Sequence, residues 1–267
     1  MRSFRTLYLY LHYIGFFVYL FSGRTRFSVS FHSESPIFFM VIVIICFLMM
    51  IFYAKACESP GYVTESPPNT EGLFYCEICG LHCPVRACHC KECGKCIIRR
   101  DHHCPWTGHC IGRDNHRDFL IYVYFEAILT LLVFIDIAST LLISLPFMEY
   151  MKRNFFLLSI ISPMGFALFM SSSLVLSHTR MAMVNATVWE MSRWDSITYL
   201  KEFPKFYFPF NRGVINNIKE FLSMKMKKTT WEYPKLPVSE VTNLFQNELY
   251  KPYNDIIYSV MNKNNEA

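Results

Sequence analysis

Charge is scarce in this chain. Only 18% of its 267 residues are Asp, Glu, Lys or Arg, where soluble domains carry about a quarter. Glycine is sparse as well, at 10 residues, which excludes collagen-like and glycine-rich architectures. No segment is read as repeating at a fixed period, so no solenoid is expected. No small-residue cleavage site follows the first apolar run, so that run is expected to stay in the protein rather than leave as a signal peptide. What the chain does have is apolar surface, 52% of residues with 17% aromatic, and this excludes a disordered chain.

The apolar residues are clustered. A helix needs about 20 mainly apolar residues to cross a bilayer. Uncharged runs cover Thr6–Gly23, Ser35–Ala54 and Asn154–Thr179, and Phe119–Met148 is broken only by Glu126 and Asp136. Backbone groups in lipid must be satisfied internally, so each run reads as a helix. The fold class expected is an all-α integral membrane protein with four spans, at 6–23, 35–54, 119–148 and 154–179. Asp136 is expected at an interfacial position on a long, tilted helix. For Glu126, a contact inside the bundle and an interfacial position both stand, since buried charge in a span is costly.

Four spans place the N-terminus, residues 55–118 and the tail on one side. Lys and Arg number 22 there and 4 on the other side. Positive loops stay cytoplasmic, so the termini and the 55–118 loop are expected in the cytosol. Within that loop, 55–72 holds Ser59-Pro60-Gly61 and Ser66-Pro67-Pro68, which is linker chemistry, and 73–118 is a compact Cys/His module. Residues 180–267 form a basic tail whose aromatics either pack on the module or lie on the membrane surface, where anionic headgroups attract basic faces.

Nine of the eleven cysteines lie between Cys76 and Cys110. A cytosolic loop is kept reduced, which argues against disulfides. Cys-x2-Cys lets two thiolates reach one zinc ion at about 2.3 Å. Two such pairs with interleaved histidines point to zinc, and a module with few large aliphatic side chains needs metal to fold. Two tetrahedral sites use eight ligands, so at least one thiol is left over, and spacing does not say which. A net charge of only +5 on a membrane-tethered module argues against a nucleic-acid partner.

The run Asp101-His102-His103-Cys104-Pro105-Trp106, with Cys76, Cys79, Pro84-Val85-Arg86, His89, Cys90, Cys93, Cys96, Cys110, Asn115 and Phe119, resembles the DHHC protein S-acyltransferase (palmitoyltransferase) family. Glu58-Ser59-Pro60-Gly61 is similar to that family's Asp-Pro-Gly motif. Phe208-Pro209-Phe210, Gly213, Asn217 and Phe221 are similar to its C-terminal aromatic-Asn motif. The resemblance implies two structural zinc ions, one on Cys76, Cys79, His89 and Cys96, the other on Cys90, Cys93, His103 and Cys110. His102 and Cys104 are then left over, with Asp101 beside them. A thiolate is the nucleophile, an imidazole can take its proton, and a carboxylate can hold the imidazole's tautomer. Cys104 is therefore expected to take a palmitoyl group from palmitoyl-CoA, with His102 as base and Asp101 orienting it, and to pass the group to cysteines of substrate proteins. Arg99 and Arg100 are the candidates for the coenzyme A phosphates. Trp106, Tyr122, Phe125 and Leu129 are candidates for the wall of an acyl-chain cavity. The family resemblance suggests the Golgi or endoplasmic reticulum.

The chain departs from the family pattern in three places. Thr187-Val188-Trp189-Glu190 stands where the family has Thr-Thr-x-Glu, so the hydroxyl expected to support Asp101 is missing at Val188, with Thr187 or Asn185 as replacements. Cys83 stands where the family has a basic residue, and Cys88 is an extra thiol beside His89. Cys57 lies at the end of the second span. The rival reading to an enzyme is a non-catalytic zinc-bearing membrane adaptor, which the Val188 departure keeps open. A cross-brace ubiquitin ligase fits less well, because its ligands would leave no His-Cys pair over.

Overall fold

The computed structural model describes residues 37–141, 145–201 and 203–225, together with Thr6, Leu7, Tyr10, His12, Ile14, Gly15 and Tyr19. Most of the expected first span and the end of the tail lie outside the described residues. The described chain is mostly helical. Among the described residues, three helices are long and apolar enough to cross a membrane: α1 (Ile37–Ala56), α2 (His116–Leu141) and α3 (Phe147–Val184). Two compact units are formed, one of Met1–Glu58, His103–His109 and Asn115–Thr179, the other of Ser59–His102, Cys110–Asp114 and Arg180–Ala267.

In the first unit α1 packs along α2, with Phe52 stacked on Phe125 at 5.8 Å and Tyr53 edge-on to Tyr122 at 5.3 Å. The end of α1 is closed by a side chain. Asn115 Nδ2 donates to the carbonyl of Ala56 at 2.9 Å, satisfying one of the acceptors a helix terminus leaves open. Ile37, Phe47, Phe155, Phe166 and Leu176 are exposed, as side chains facing lipid tails are.

Two expectations change here. Asp136 is buried and accepts a hydrogen bond from Tyr19 Oη at 2.7 Å. It is a contact inside the bundle rather than an interfacial group, because a phenol donor meets the carboxylate away from water. Glu126 lies 3.9 Å from His12 Nδ1. The break expected at 149–153 falls earlier: α3 starts at Phe147, and Lys152 and Arg153 lie inside it. Pro146 marks the start, accepting from Tyr150 N–H at 2.8 Å, and Glu149 and Arg153 pair at 2.7 Å one turn apart, which supports a helix rather than a loop.

The second unit holds short hairpins. Strands β1 (Phe74–Cys76) and β2 (Leu81–Cys83) pair, as do β3 (Cys88–Cys90) and β4 (Lys95–Ile97). A third two-stranded piece joins β5 (His102–Cys104) to β6 (His109–Ile111). Three-residue strands bury little apolar surface, and the small core is itself thiol-rich: Cys76, Cys83, Ala87 and Cys96. The linker is pinned to the module at Pro60-Gly61, where Ile98 N–H donates to Gly61 O at 2.9 Å and Asp114 N–H to Pro60 O at 3.2 Å. Gly61 has φ 87°, and a Cβ there would meet Asp114 Oδ2 at 2.8 Å, so both conformation and space demand glycine. After α3 come α4 (Val188–Arg193), a 3-10 turn at Trp194–Ser196 and α5 (Val214–Ser223).

Candidate active site

The hairpins expose a short repeat that the sequence reading missed. Cys76, Cys90 and Cys104 are each 14 residues apart, as are Gly80, Gly94 and Gly108. In all three the glycine N–H donates to the leading cysteine's carbonyl, at 2.8, 2.9 and 3.0 Å, with φ between 65° and 79°, where glycine is favoured. The same period aligns His89 with His103 and Cys96 with Cys110. Three copies in one module do not make a solenoid, but the period is the signal that orders the ligands.

The donors come together in two groups: Cys76, Cys79, His89 and Cys96, and Cys90, Cys93, His103 and Cys110. Each takes a Cys-x2-Cys turn from one copy of the repeat and a His and a Cys from the next. In the first group His89 Nδ1 lies 3.6, 3.4 and 3.8 Å from the sulfurs of Cys76, Cys79 and Cys96, and Cys79 and Cys96 sulfurs are 3.7 Å apart. A zinc tetrahedron with bonds near 2.3 Å to sulfur has sulfur–sulfur edges of about 3.8 Å, so the spacing fits zinc. None of the eleven cysteines is in a disulfide.

In the third copy Thr107 stands where the second cysteine of the turn would be. Thr107 is buried, and its hydroxyl donates to the carbonyls of Cys104 and His109 at 3.3 and 3.1 Å. Cys104 is buried and belongs to neither ligand group. Asp101 is buried too. Its Oδ2 lies 2.8 Å from His102 Nδ1, and its Oδ1 accepts the backbone N–H of Val188 at 2.9 Å. The amide of Val188 itself is thus a donor to Asp101. Thr187 is occupied as the N-cap of α4, in a capping box with Glu190, and Asn185 serves two arginines.

Those arginines form a buried network in the second unit. Arg86 Nε and Nη2 grip Glu190 at 2.7 and 2.8 Å, and Arg86 Nη1 reaches Asn185 Oδ1 at 2.9 Å. Phe210 lies 4.2 Å under the guanidinium, and Tyr199 Oη donates to Glu190 at 3.1 Å. Arg99, expected at a phosphate, is instead wholly buried, with Asn185 Oδ1 and Ala186 O at 3.4 and 3.3 Å. Burial, with Arg86 beside it, brings Arg99 down to about 10. Arg86, Arg99 and Asn185 all adopt positive φ, 68°, 46° and 52°, a conformation costly for arginine and held here by the network. The C-terminal motif closes beside it. Asn217 Nδ2 donates to Met183 O at 2.7 Å, and Arg99 lies 5.9 Å from the Phe221 ring.

A cavity of about 440 Å³ opens in the second unit, lined among others by Phe74, Cys88, Arg100, Trp189 and Arg193. Arg100 stands 3.7 Å from Cys88 Sγ, and burial pushes the Cys88 thiol up to about 11. Cys83 lines the same cavity. In the first unit Trp106 is exposed and its carbonyl accepts from Tyr53 Oη at 2.8 Å, His109 Nε2 lies 2.7 Å from the Cys57 carbonyl, and Tyr122 and Leu129 are buried. Arg193 and Thr107 were not singled out in the sequence. Only the 14-residue period could have flagged Thr107.

A family model described as DHHC palmitoyltransferase matches residues 69–195. A Dictyostelium discoideum protein named "Putative ZDHHC-type palmitoyltransferase 7" is 31% identical over 162 residues, covering 59% of this chain and 36% of that protein. The chain thus spans about a third of the length of that curated relative.

Proposed function

We propose that this chain, whose residues 69–195 match a family model described as DHHC palmitoyltransferase, is a membrane-embedded protein S-acyltransferase that moves a palmitoyl group from palmitoyl-CoA to cysteine thiols of membrane-associated proteins. The observation that carries the reading is the Asp101–His102 contact at 2.8 Å in the strand that ends on Cys104, a cysteine outside both ligand groups. With its Nδ1–H given to Asp101, His102 presents Nε2 as the base. It takes the Cys104 proton, and the thiolate attacks the thioester carbonyl carbon. The carbon–sulfur bond to coenzyme A breaks, and the departing thiolate takes the proton back from His102. In the second half His102 deprotonates a substrate cysteine, whose sulfur attacks the acyl-Cys104 carbonyl; the carbon–sulfur bond to Cys104 breaks, and the released Cys104 thiolate takes the proton from His102.

Two zinc ions would be held by the two Cys3His groups. Their four protein ligands make them structural, supplying folding energy rather than a step of the reaction. The polar end of the acyl donor is assigned to the cavity at Arg100 and Arg193, since its phosphates require cations. Its chain goes among the helices, where each buried methylene contributes about 0.8 kcal/mol. The proposal includes four spans, with residues 55–118 and both termini in the cytosol, in a Golgi or endoplasmic reticulum membrane. The missing hydroxyl that kept the adaptor reading open has a substitute in the Val188 amide.

The test is incubation of purified protein with labelled palmitoyl-CoA. The wild type acquires a hydroxylamine-sensitive label and Cys104→Ala acquires none. A label of equal strength in Cys104→Ala moves the nucleophile elsewhere, and no label in the wild type leaves the adaptor.

A further inference from the structure

The two ligand groups share one plan, and a single core residue breaks the match. In the second group Ile97 packs with Cys90 and Cys110 in a small buried cluster. In the first group the corresponding cluster holds Cys76 and Cys96 with Cys83 in the place of the isoleucine. Cys83, Ile97 and Ile111 are spaced by 14 residues, and each ends the second strand of its hairpin, β2, β4 and β6. They are 1%, 0% and 0% exposed. Aliphatic packing thus suffices at this position in the second and third copies, and the first copy alone puts a thiol there.

That thiol has two neighbours an isoleucine would not use. Cys83 is hydrogen-bonded to the sulfur of Cys96, itself a donor of the first group. It also lines the cavity of about 440 Å³ in the second unit, so a molecule the size of water reaches its sulfur through that cavity. The first group therefore carries one thiol beyond its four donors, in contact with a donor and open to small solutes. The second group has no counterpart at that position, where Ile97 offers only carbon.

We infer that Cys83 and Cys96 form a peroxide-sensitive dithiol whose oxidation frees the metal of the first group. The Cys83 sulfur attacks an oxygen of hydrogen peroxide while its proton passes to the Cys96 sulfur. The oxygen–oxygen bond breaks, hydroxide leaves, and Cys83 becomes a sulfenic acid. Cys96 then attacks the Cys83 sulfur. The sulfur–oxygen bond breaks, water departs with the Cys96 proton, and the Cys83–Cys96 disulfide closes. Two electrons have passed from the two sulfurs to the peroxide. Cys96 no longer serves as a ligand, which leaves three donors where a structural zinc site needs four, and the folding energy that metal supplies to β1–β4 is withdrawn. In a reducing compartment a disulfide of this kind is transient and acts as a sensor. The inference rests on the zinc assignment and is independent of acyl transfer.

The test uses the full chain, zinc-loaded in detergent micelles, with a chromogenic chelator reporting released metal. A starting content of two ions per chain, one for each ligand group, confirms that both are filled, and a content near zero would refute the ligand assignment itself. Peroxide should release about one ion several-fold faster than the other. Peptide mapping at that stage should find Cys83 linked to Cys96, and dithiothreitol with added zinc should restore both ions. Cys83→Ile copies the second group and should remove the fast phase, whereas Ile97→Cys, the reverse exchange, should give the second ion a fast phase too. A fast phase that persists in Cys83→Ile, or a Cys83–Cys88 link in place of Cys83–Cys96, would overturn the inference. Should Cys83→Ile lose zinc before any peroxide is added, the link mapped in the wild type decides. Release of both ions at one rate, with no link, sinks the switch and leaves the zinc assignment and the acyl-transfer reading standing.

Discussion

Thr107 stands to Cys104 as Cys79 stands to Cys76 and Cys93 to Cys90. In each case the second residue follows the first by three, and a glycine follows it directly with its N–H on the first residue's carbonyl. The candidate nucleophile therefore sits in a metal-binding turn that lacks its second thiol. Restoring that thiol should turn Cys104 toward metal. Thr107→Cys is expected to become zinc-sensitive, with self-acylation lowered about tenfold or more at added zinc and recovered by a chelator, since two thiolates at this spacing reach one ion. Thr107→Val loses the two hydroxyl hydrogen bonds and gains no ligand, so its rate should ignore the chelator. Equal chelator response in both variants would refute the comparison between the turns.

Metal analysis separates the ligands from their neighbours. Two zinc ions per chain are expected, falling by about one in Cys79→Ser or Cys93→Ser, because each tetrahedral group needs all four donors. Cys104→Ser and His102→Ala should keep both ions. His102→Ala should nevertheless slow self-acylation by on the order of 10²–10⁴, the scale of a lost general base. Loss of one zinc in Cys104→Ser would make Cys104 a ligand.

The buried Arg86–Glu190 pair predicts a folding defect rather than a chemical one. Glu190→Leu leaves Arg86 charged, buried and short of its main acceptor, which costs about 3–5 kcal/mol. Arg86→Met combined with Glu190→Leu removes both charges and should be milder than Glu190→Leu alone. Thermal stability followed by zinc release tests the order. If the double variant's total loss equals the sum of the losses in Arg86→Met alone and Glu190→Leu alone, the pair is not coupled.

Much of this arrangement was legible in the residues. Cys-x2-Cys spacing fixes a local turn, so ligands within a turn can be read without tertiary structure, and long apolar runs identify α1, α2 and α3. What was not legible depends on groups the sequence does not display. One donor to Asp101 is a backbone N–H, which exists whatever side chain Val188 carries. Arg99 looks like a cation for a ligand, and its burial depends on Asn185 and Ala186, more than 80 residues away. The Tyr19–Asp136 bond joins positions 117 residues apart. The α2–α3 turn was misplaced because a helix-supporting Glu149–Arg153 pair looks, in one dimension, like polar loop.

Arg99 and Arg100 are neighbours with opposite expected phenotypes. Arg100 lines the cavity, so Arg100→Ala should raise KM for palmitoyl-CoA by about tenfold, the loss of one charge-assisted contact, with kcat and zinc content little changed. Arg99→Ala removes a buried structural cation and should lower stability and yield instead. Titration of self-acylation against palmitoyl-CoA, alongside thermal denaturation, distinguishes them. A KM effect confined to Arg99 would reverse the assignment.

The Val188 amide offers the most selective test of the site. Val188 is the first residue of α4, and Thr187 before it is the N-cap with φ −124° and ψ 158°. Proline is well tolerated at that first helical position, and the extended conformation of Thr187 is the one proline requires of its predecessor. Val188→Pro therefore deletes one N–H, the one donating to Asp101 Oδ1 at 2.9 Å, and leaves the helix start intact. A hydrogen bond to a buried carboxylate contributes about 1.5–3 kcal/mol, so self-acylation should slow by roughly 10- to 100-fold with two zinc ions retained. Val188→Thr keeps the amide and adds the hydroxyl of the family pattern, and should react at close to the wild-type rate. If Val188→Thr is much faster than wild type, the amide alone does not hold Asp101. If Val188→Pro is as fast as wild type, Asp101 is oriented by His102 and the surrounding packing instead, and the substitute for the missing hydroxyl is not the Val188 amide.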